Sequence, residues 1–135
     1  MGQPRVILLD THIVLWLAEG TPKLTRHALS AIERARANGA GLAICDISLV
    51  ELAMIYSKGR YSLAVPFDRF LEETEARFTV LPITSRCAAR LAALPASYPR
   101  DPADRIIGAT ALSEGLRLIT ADQAIRRSRA VLTVW

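Results

Sequence analysis

Val6-Ile7-Leu8-Leu9-Asp10-Thr11-His12 is the stretch that decides the fold. Four consecutive β-prone apolar residues with no polar alternation describe a strand buried on both faces, as in a parallel sheet held between helices. An acid follows without a break. In open parallel sheets the ligand crevice lies outside the carboxyl ends of the strands, so Asp10 stands where a functional group belongs.

Outward from this strand the chain alternates helix and strand. Residues 11–18 read as a short helix closed by Gly20 and Pro22, and 24–38 as a longer polar-faced helix ending at Gly39. Gly41 to Cys45 returns to strand character. Helices are expected at 49–57 and 66–77, then a short strand at 79–82 and a helix through Cys87 to Leu94. Beyond a loop at 95–99 come a helix at 102–114, a strand at 117–119, a short helix at 121–127 and a last strand at 130–134. The alternation predicts an α/β fold, a three-layer α/β/α arrangement with a mostly parallel central sheet and right-handed crossovers. With no repeat, low-complexity segment or linker, residues 1–135 read as a single domain.

A composition of 51% hydrophobic and 22% charged residues excludes disordered and fibrous classes. The net charge is +4, with fifteen Arg against two Lys. Arg favours bidentate phosphate contacts, which tilts the chain towards a polyanionic partner, although a GC-rich genome writes the same excess. Cys45 and Cys87 form no C-x-x-C pair and read as buried thiols of a reducing cytosol, so the protein is expected to be cytoplasmic. The apolar run 6–18 is broken by Asp10 and His12 and preceded only by Arg5, too short and polar for a signal peptide or membrane span. Met1-Gly2-Gln3-Pro4 has Val6 where myristoylation needs Ser or Thr.

Three acids follow strands and a fourth can reach them. Asp10 directly follows the first strand, Asp122 comes three residues after Ile119, Glu51 stands about a helical turn beyond Cys45, and Asp104 opens the helix after the proline-rich loop. Taken singly, each has a structural explanation. Ser48-Leu49-Val50-Glu51 fits a capping box, and Asp101-Pro102-Ala103-Asp104 fits a helix start with Asp as cap, Pro at the first position and an acid in the first turn. Asp10 and Asp122 could cap the helices they precede. Taken together, four acids converging on one crevice repel and raise one another's pKa unless a cation is present. Hard oxygen ligands without paired His or Cys select Mg²⁺ or Mn²⁺, and such ions support phosphodiester hydrolysis with no other cofactor.

The same residues resemble a known pattern. Asp10-Thr11-His12 after an apolar strand, Ser48-x-x-Glu51, Asp101-Pro102-Ala103-Asp104-Arg105 opening an Ile-Ile-Gly-Ala helix, and Thr120-Ala121-Asp122 after a strand are similar in order and spacing to VapC-like PIN domains. The resemblance spans essentially the whole chain, and Asp-Pro-x-Asp-Arg is its most specific part. It implies a magnesium-dependent endoribonuclease, the toxin half of a type II VapBC toxin-antitoxin pair. It also implies an RNA substrate, inhibition by a cognate antitoxin that inserts a segment into the groove, and a homodimer. Carried over by position, Asp10, Glu51, Asp104 and Asp122 form the acidic metal site, with Asp10 and Asp104 the firmest ligands. Thr11 and Ser48 hold a water or a carboxylate by their hydroxyls.

Arg105 either grips substrate phosphate or pairs with an acid across the cleft. His12, lacking a second His, is expected to pack rather than ligate, and Arg126, Arg127 and Arg129 form a basic cluster on a solvated helix face or against RNA. Trp16, Leu17, Met54, Ile55 and Tyr56 have core spacing, some of them suited to an interface. A haloacid-dehalogenase phosphatase needs an acid where His12 stands, and a receiver domain needs a Lys after the last strand, where Thr133-Val134-Trp135 stands. A non-catalytic nucleic-acid-binding module and a DNA nuclease of the same chemistry are the remaining rivals.

Overall fold

The computed structural model describes residues 6–20, 22–59 and 61–135; Arg5 and Met1 to Pro4, on which the reading of the opening segment rests, lie outside them. The first strand, β1 (Ile7–Leu9), is buried along its length and runs directly into α1 (Thr11–Glu19). Asp10 makes this abrupt change possible, because its extended backbone ends the strand while its carboxylate accepts from the Thr11 amide. Gly20 closes α1 at φ 103°, a left-handed conformation that costs a glycine little.

The chain continues through α2 (Arg26–Ala37), β2 (Leu42–Cys45), α3 (Ile47–Ser57), α4 (Phe67–Arg77), β3 (Thr79–Leu81), α5 (Ser85–Ala92), α6 (Pro102–Glu114), β4 (Leu118–Ile119), α7 (Gln123–Ser128) and β5 (Thr133–Val134). Every expected element is present, with shifted ends. Helix α2 starts after Thr25 rather than at Leu24, because the Thr25 hydroxyl accepts from the Ala28 amide and fixes the cap there. The last strand shrinks from the expected 130–134 to two residues, since only Thr133 and Val134 find ladder partners, Leu118 and Ile119.

The sheet order is β3-β2-β1-β4-β5, and every pairing is parallel. Odd and even positions of β1 bury opposite faces. Ile7 and Leu9 join Ile13, Ile32, Leu52 and Phe70 on one side. Leu8 joins Tyr98, Ile107, Leu118 and Ile125 on the other. These two cores, one on each side of a single sheet, are the three layers expected. Because β2 lies on one side of β1 and β4 on the other, the winding direction reverses between β1 and β4, and a crevice opens beyond their carboxyl ends. Among the described residues no helix is long and apolar enough to cross a membrane.

Met54 and Tyr56, expected mostly in the core, are 56% and 41% exposed, because the buried side of α3 is carried by Ser48 and Leu52. Cys45 and Cys87 are free and buried, as expected, and flank the Thr110 hydroxyl at 3.4 and 3.3 Å. Burial pushes the Cys45 thiol up to about 11.

Candidate functional site

The crevice at the reversal point holds the acids. A cavity of about 440 Å³ is lined by Asp10, Glu51, Asp101, Asp104 and Asp122, with His12 and Trp16 at its wall. A second cleft of about 420 Å³ lies at the opposite edge of the sheet, beside Ile7, Arg34 and Arg117, and has no carboxylate in its lining. The four acids singled out in the sequence therefore share one cavity, and Asp101, expected only as a cap, joins them.

Asp10, Asp101 and Asp122 each cap the helix they precede. Asp10 is only 7% exposed. Its Oδ1 accepts from the Thr11 amide at 2.8 Å and its Oδ2 from the Thr120 hydroxyl at 2.7 Å. Thr120 in turn accepts from the Asp122 amide at 3.0 Å, so one buried hydroxyl at the end of β4 ties Asp10 to the Asp122 turn. Asp122 caps α7 by accepting from the Ile125 amide at 3.0 Å. Sequence reading passed over Thr120 as a site residue; the signal was a polar residue directly closing a buried strand within Thr120-Ala121-Asp122.

Glu51 arrives differently. The capping box that Ser48 and Glu51 fit does not form, because α3 begins two residues earlier than 49, after Asp46, and Ser48 is already inside the helix. The Asp46 carboxylate is spent on the Ile83 amide at 3.2 Å. Ser48, fully buried, bonds the Thr11 hydroxyl at 2.8 Å, and Thr11 donates to the Glu51 carboxylate. A hydroxyl has one proton, so Thr11 spends its own on Glu51 and accepts from Ser48. Thr11 thus holds the Glu51 carboxylate directly, and Ser48 acts on it through Thr11.

Asp101 and Asp104 come from the start of α6. Pro102 supplies the first helical residue, and the Asp101 carboxylate accepts from the Asp104 amide at 3.0 Å. The buried Tyr98 hydroxyl donates to the Asp104 carbonyl at 2.8 Å and clamps this turn from below. The tyrosine also explains Gly108, because a Cβ there would stand 2.2 Å from its hydroxyl. Arg105 pairs with no acid among the described residues; it donates to the Pro99 carbonyl at 3.3 Å and holds the loop before α6. His12 is exposed and tilted against Trp16 at 6.1 Å between ring centroids.

Electrostatically the cavity is overloaded with negative charge. Burial, then Asp10, Asp101, Glu51 and Asp122, push the Asp104 carboxyl up from 3.8 to about 7. Burial raises Asp10 despite the donors Thr120 and Thr11, and burial with Asp10 and Asp101 raises Glu51. One ligand oxygen each from Glu51, Asp101 and Asp104 lies within 4.8 Å of the others. A donor set of carboxylates, with no thiolate or paired imidazole, fits a hard divalent cation.

The chain is also similar to known proteins. The family model described as "PIN domain" matches residues 7–130. The chain is 39% identical over 131 residues to a Mycobacterium tuberculosis protein named "Ribonuclease VapC22", covering 96% of this chain and 98% of that one. Among solved structures it is similar to DNA-bound VapBC from Salmonella typhimurium (TM-score 0.69, 25% identity, 96% of each chain). It also matches the fold of VapBC2 from Rickettsia felis, bound to a promoter DNA fragment (TM-score 0.72, 19% identity, 95% of this chain and 96% of that one).

Proposed function

Because the chain belongs to the PIN-domain family, we propose that it is a metal-dependent endoribonuclease, the toxin of a VapBC-type toxin-antitoxin pair. The observation that carries the reading is the convergence of Asp10, Glu51, Asp104 and Asp122 on one cavity at the point where the sheet reverses its winding. Isolated caps would have no reason to gather in one cavity, whereas ligands of one cation would.

We assign Asp10, Glu51, Asp104 and Asp122 as the metal-holding and catalytic acids, with Mg²⁺ or Mn²⁺ as the ion. Such an ion, when bound, polarises the scissile phosphate and lowers the pKa of water beside it. The chain's own residues do the rest. Asp10 is held in one orientation by Thr120 and the Thr11 amide, and Glu51 by Thr11 backed by Ser48. Burial, then the charges of Asp10, Asp101, Glu51 and Asp122, hold the Asp104 carboxyl up to about 7, and offsetting those charges favours its carboxylate form. The buried hydroxyls Thr11, Ser48 and Thr120 leave Asp10 and Glu51 little freedom to swing into solvent.

An RNA backbone is the substrate this reading assigns, supported by the related protein named a ribonuclease. The antitoxin is inferred from the VapBC complexes that this chain resembles. A homodimer has apolar surface available at Val50 and Met54 of α3, 53% and 56% exposed. Two free thiols fit a cytoplasmic setting.

The test is cleavage of a mixed RNA pool by antitoxin-free protein with Mg²⁺, with EDTA, and as the Asp10→Asn and Asp104→Asn variants. Cutting should require metal and fall by at least about 100-fold in each variant, beyond the roughly 10–100-fold that loss of a supporting residue brings. Variants that cut as wild type does would remove the acids from the chemistry and leave a binding module.

A further inference from the structure

A cleft that gathers five carboxylates repels the polyanion it is to cut. A cation inside offsets part of that charge at the scissile phosphate, but the flanking phosphates need cations of their own. Among the described residues lining the cleft there is no Arg or Lys, and Arg105 nearby is turned to the Pro99 carbonyl.

The missing charge stands on α7. Arg126, Arg127 and Arg129, with Gln123, line a hollow of about 290 Å³. Gln123, Arg126 and Arg127 are spaced i, i+3 and i+4, which places them on neighbouring positions of one helix face. The described ion pairs, Arg69 with Glu73 and Arg86 with Glu114, leave all three guanidiniums without a carboxylate. Arg129 sits at φ 55°, the one non-glycine residue with positive φ among those described. Glycine would take that turn without strain, yet the chain keeps an arginine there.

The hollow and the cleft share a helix. Asp122 lines the cleft and caps α7, whose six residues span about 9 Å. A strand with one phosphate at the acids would thus pass the guanidiniums within a few nucleotides. The hollow has no aromatic lining on which a base could stack, so its contacts are to backbone.

We propose that the hollow formed by Arg126, Arg127 and Arg129 is a backbone-binding subsite for single-stranded RNA, holding phosphates that flank the scissile one and drawing the strand into the cleft. This rests on the ribonuclease reading above. Arginine suits the task because its planar fork meets phosphate oxygens two at a time. Gln123 adds a neutral partner for a phosphate or ribose oxygen.

The test is binding of a labelled single-stranded oligoribonucleotide to the full chain in EDTA, followed between about 50 and 200 mM salt. Each phosphate contact contributes about 0.7 to the slope of log affinity against log salt for a single strand. The triple variant Arg126→Gln, Arg127→Gln, Arg129→Gln should lower the slope by about 2. Arg90→Gln, exposed on α5, should leave it unchanged. Arg129→Gly keeps the turn unstrained, so it should hold or raise the melting temperature and still lower the slope by about 0.7. With Mg²⁺, the triple variant should raise KM while kcat stays within a few-fold. A triple variant that keeps the wild-type slope and KM overturns the subsite, and wild-type cutting in the same experiment leaves the nuclease reading standing. A variant that keeps the RNA slope but loses the antitoxin assigns the hollow to an acidic protein segment instead. A wild-type protein that is inert with Mg²⁺ brings down both readings.

Discussion

Asp104 carries a consequence for pH. Its carboxyl holds a proton up to about 7 in the folded protein, against 3.8 ordinarily, so folding takes up a proton between those values. Stability of the metal-free protein therefore falls as pH rises from about 4 to about 7. Thermal melts in EDTA should give a lower Tm at pH 8 than at pH 5, and Mg²⁺ should raise Tm more at pH 8, where the acids are charged. Equal Mg²⁺ shifts at both pH values would mean that the acids do not bind the ion. Thr120 is the residue whose hydroxyl joins Asp10 to the Asp122 turn. Thr120→Val keeps the shape but leaves the Asp10 Oδ2 acceptor and the Asp122 N–H donor without this partner, so it should cost about 1–3 kcal/mol in denaturant unfolding. It should also weaken Mg²⁺ binding by about 10–100-fold, read by calorimetry.

At the scale of the element, the start of α6 serves two roles that substitution can separate. Asp101 caps the helix and faces the cleft. Asp101→Asn keeps a capping oxygen and should preserve stability while weakening Mg²⁺ binding; Asp101→Ala should also lose about 1 kcal/mol. Equal Mg²⁺ affinity in Asp101→Asn and wild type would make Asp101 a cap alone. That double duty is why it was legible only as a cap, since Asp-Pro at a helix start is fully explained by local chemistry. The reverse happened at α3, where Ser48 and Glu51 match a local motif, yet Asp46 starts the helix and both side chains turn to Thr11. Local pattern located β1, α1 and α6 well because Asp10, Gly20, Pro102 and Gly115 punctuate them. The order of the strands was not readable from the chain, because a two-residue β4 acquires its place only by pairing with Leu8 and Leu9.

On the scale of the whole molecule, the two cores share one sheet, and unfolding either side exposes the other. The chain should therefore melt in one transition. Trp16 and Trp135 pack at 5.9 Å against the first core, so their fluorescence and the far-UV signal of the helices should move together. Two separate transitions would divide the chain into units that this sheet does not suggest. The hydrogen bond between Thr120 and Asp10 spans 110 positions of sequence. A ribosome adding about 5–20 residues per second therefore needs on the order of ten seconds to go from one to the other. Throughout that interval the nascent chain has Asp10 without the hydroxyl that orients it and without Asp122. Translation thus withholds the danger: a synthesis interrupted before Thr120 releases a fragment with helices and strands but no assembled centre.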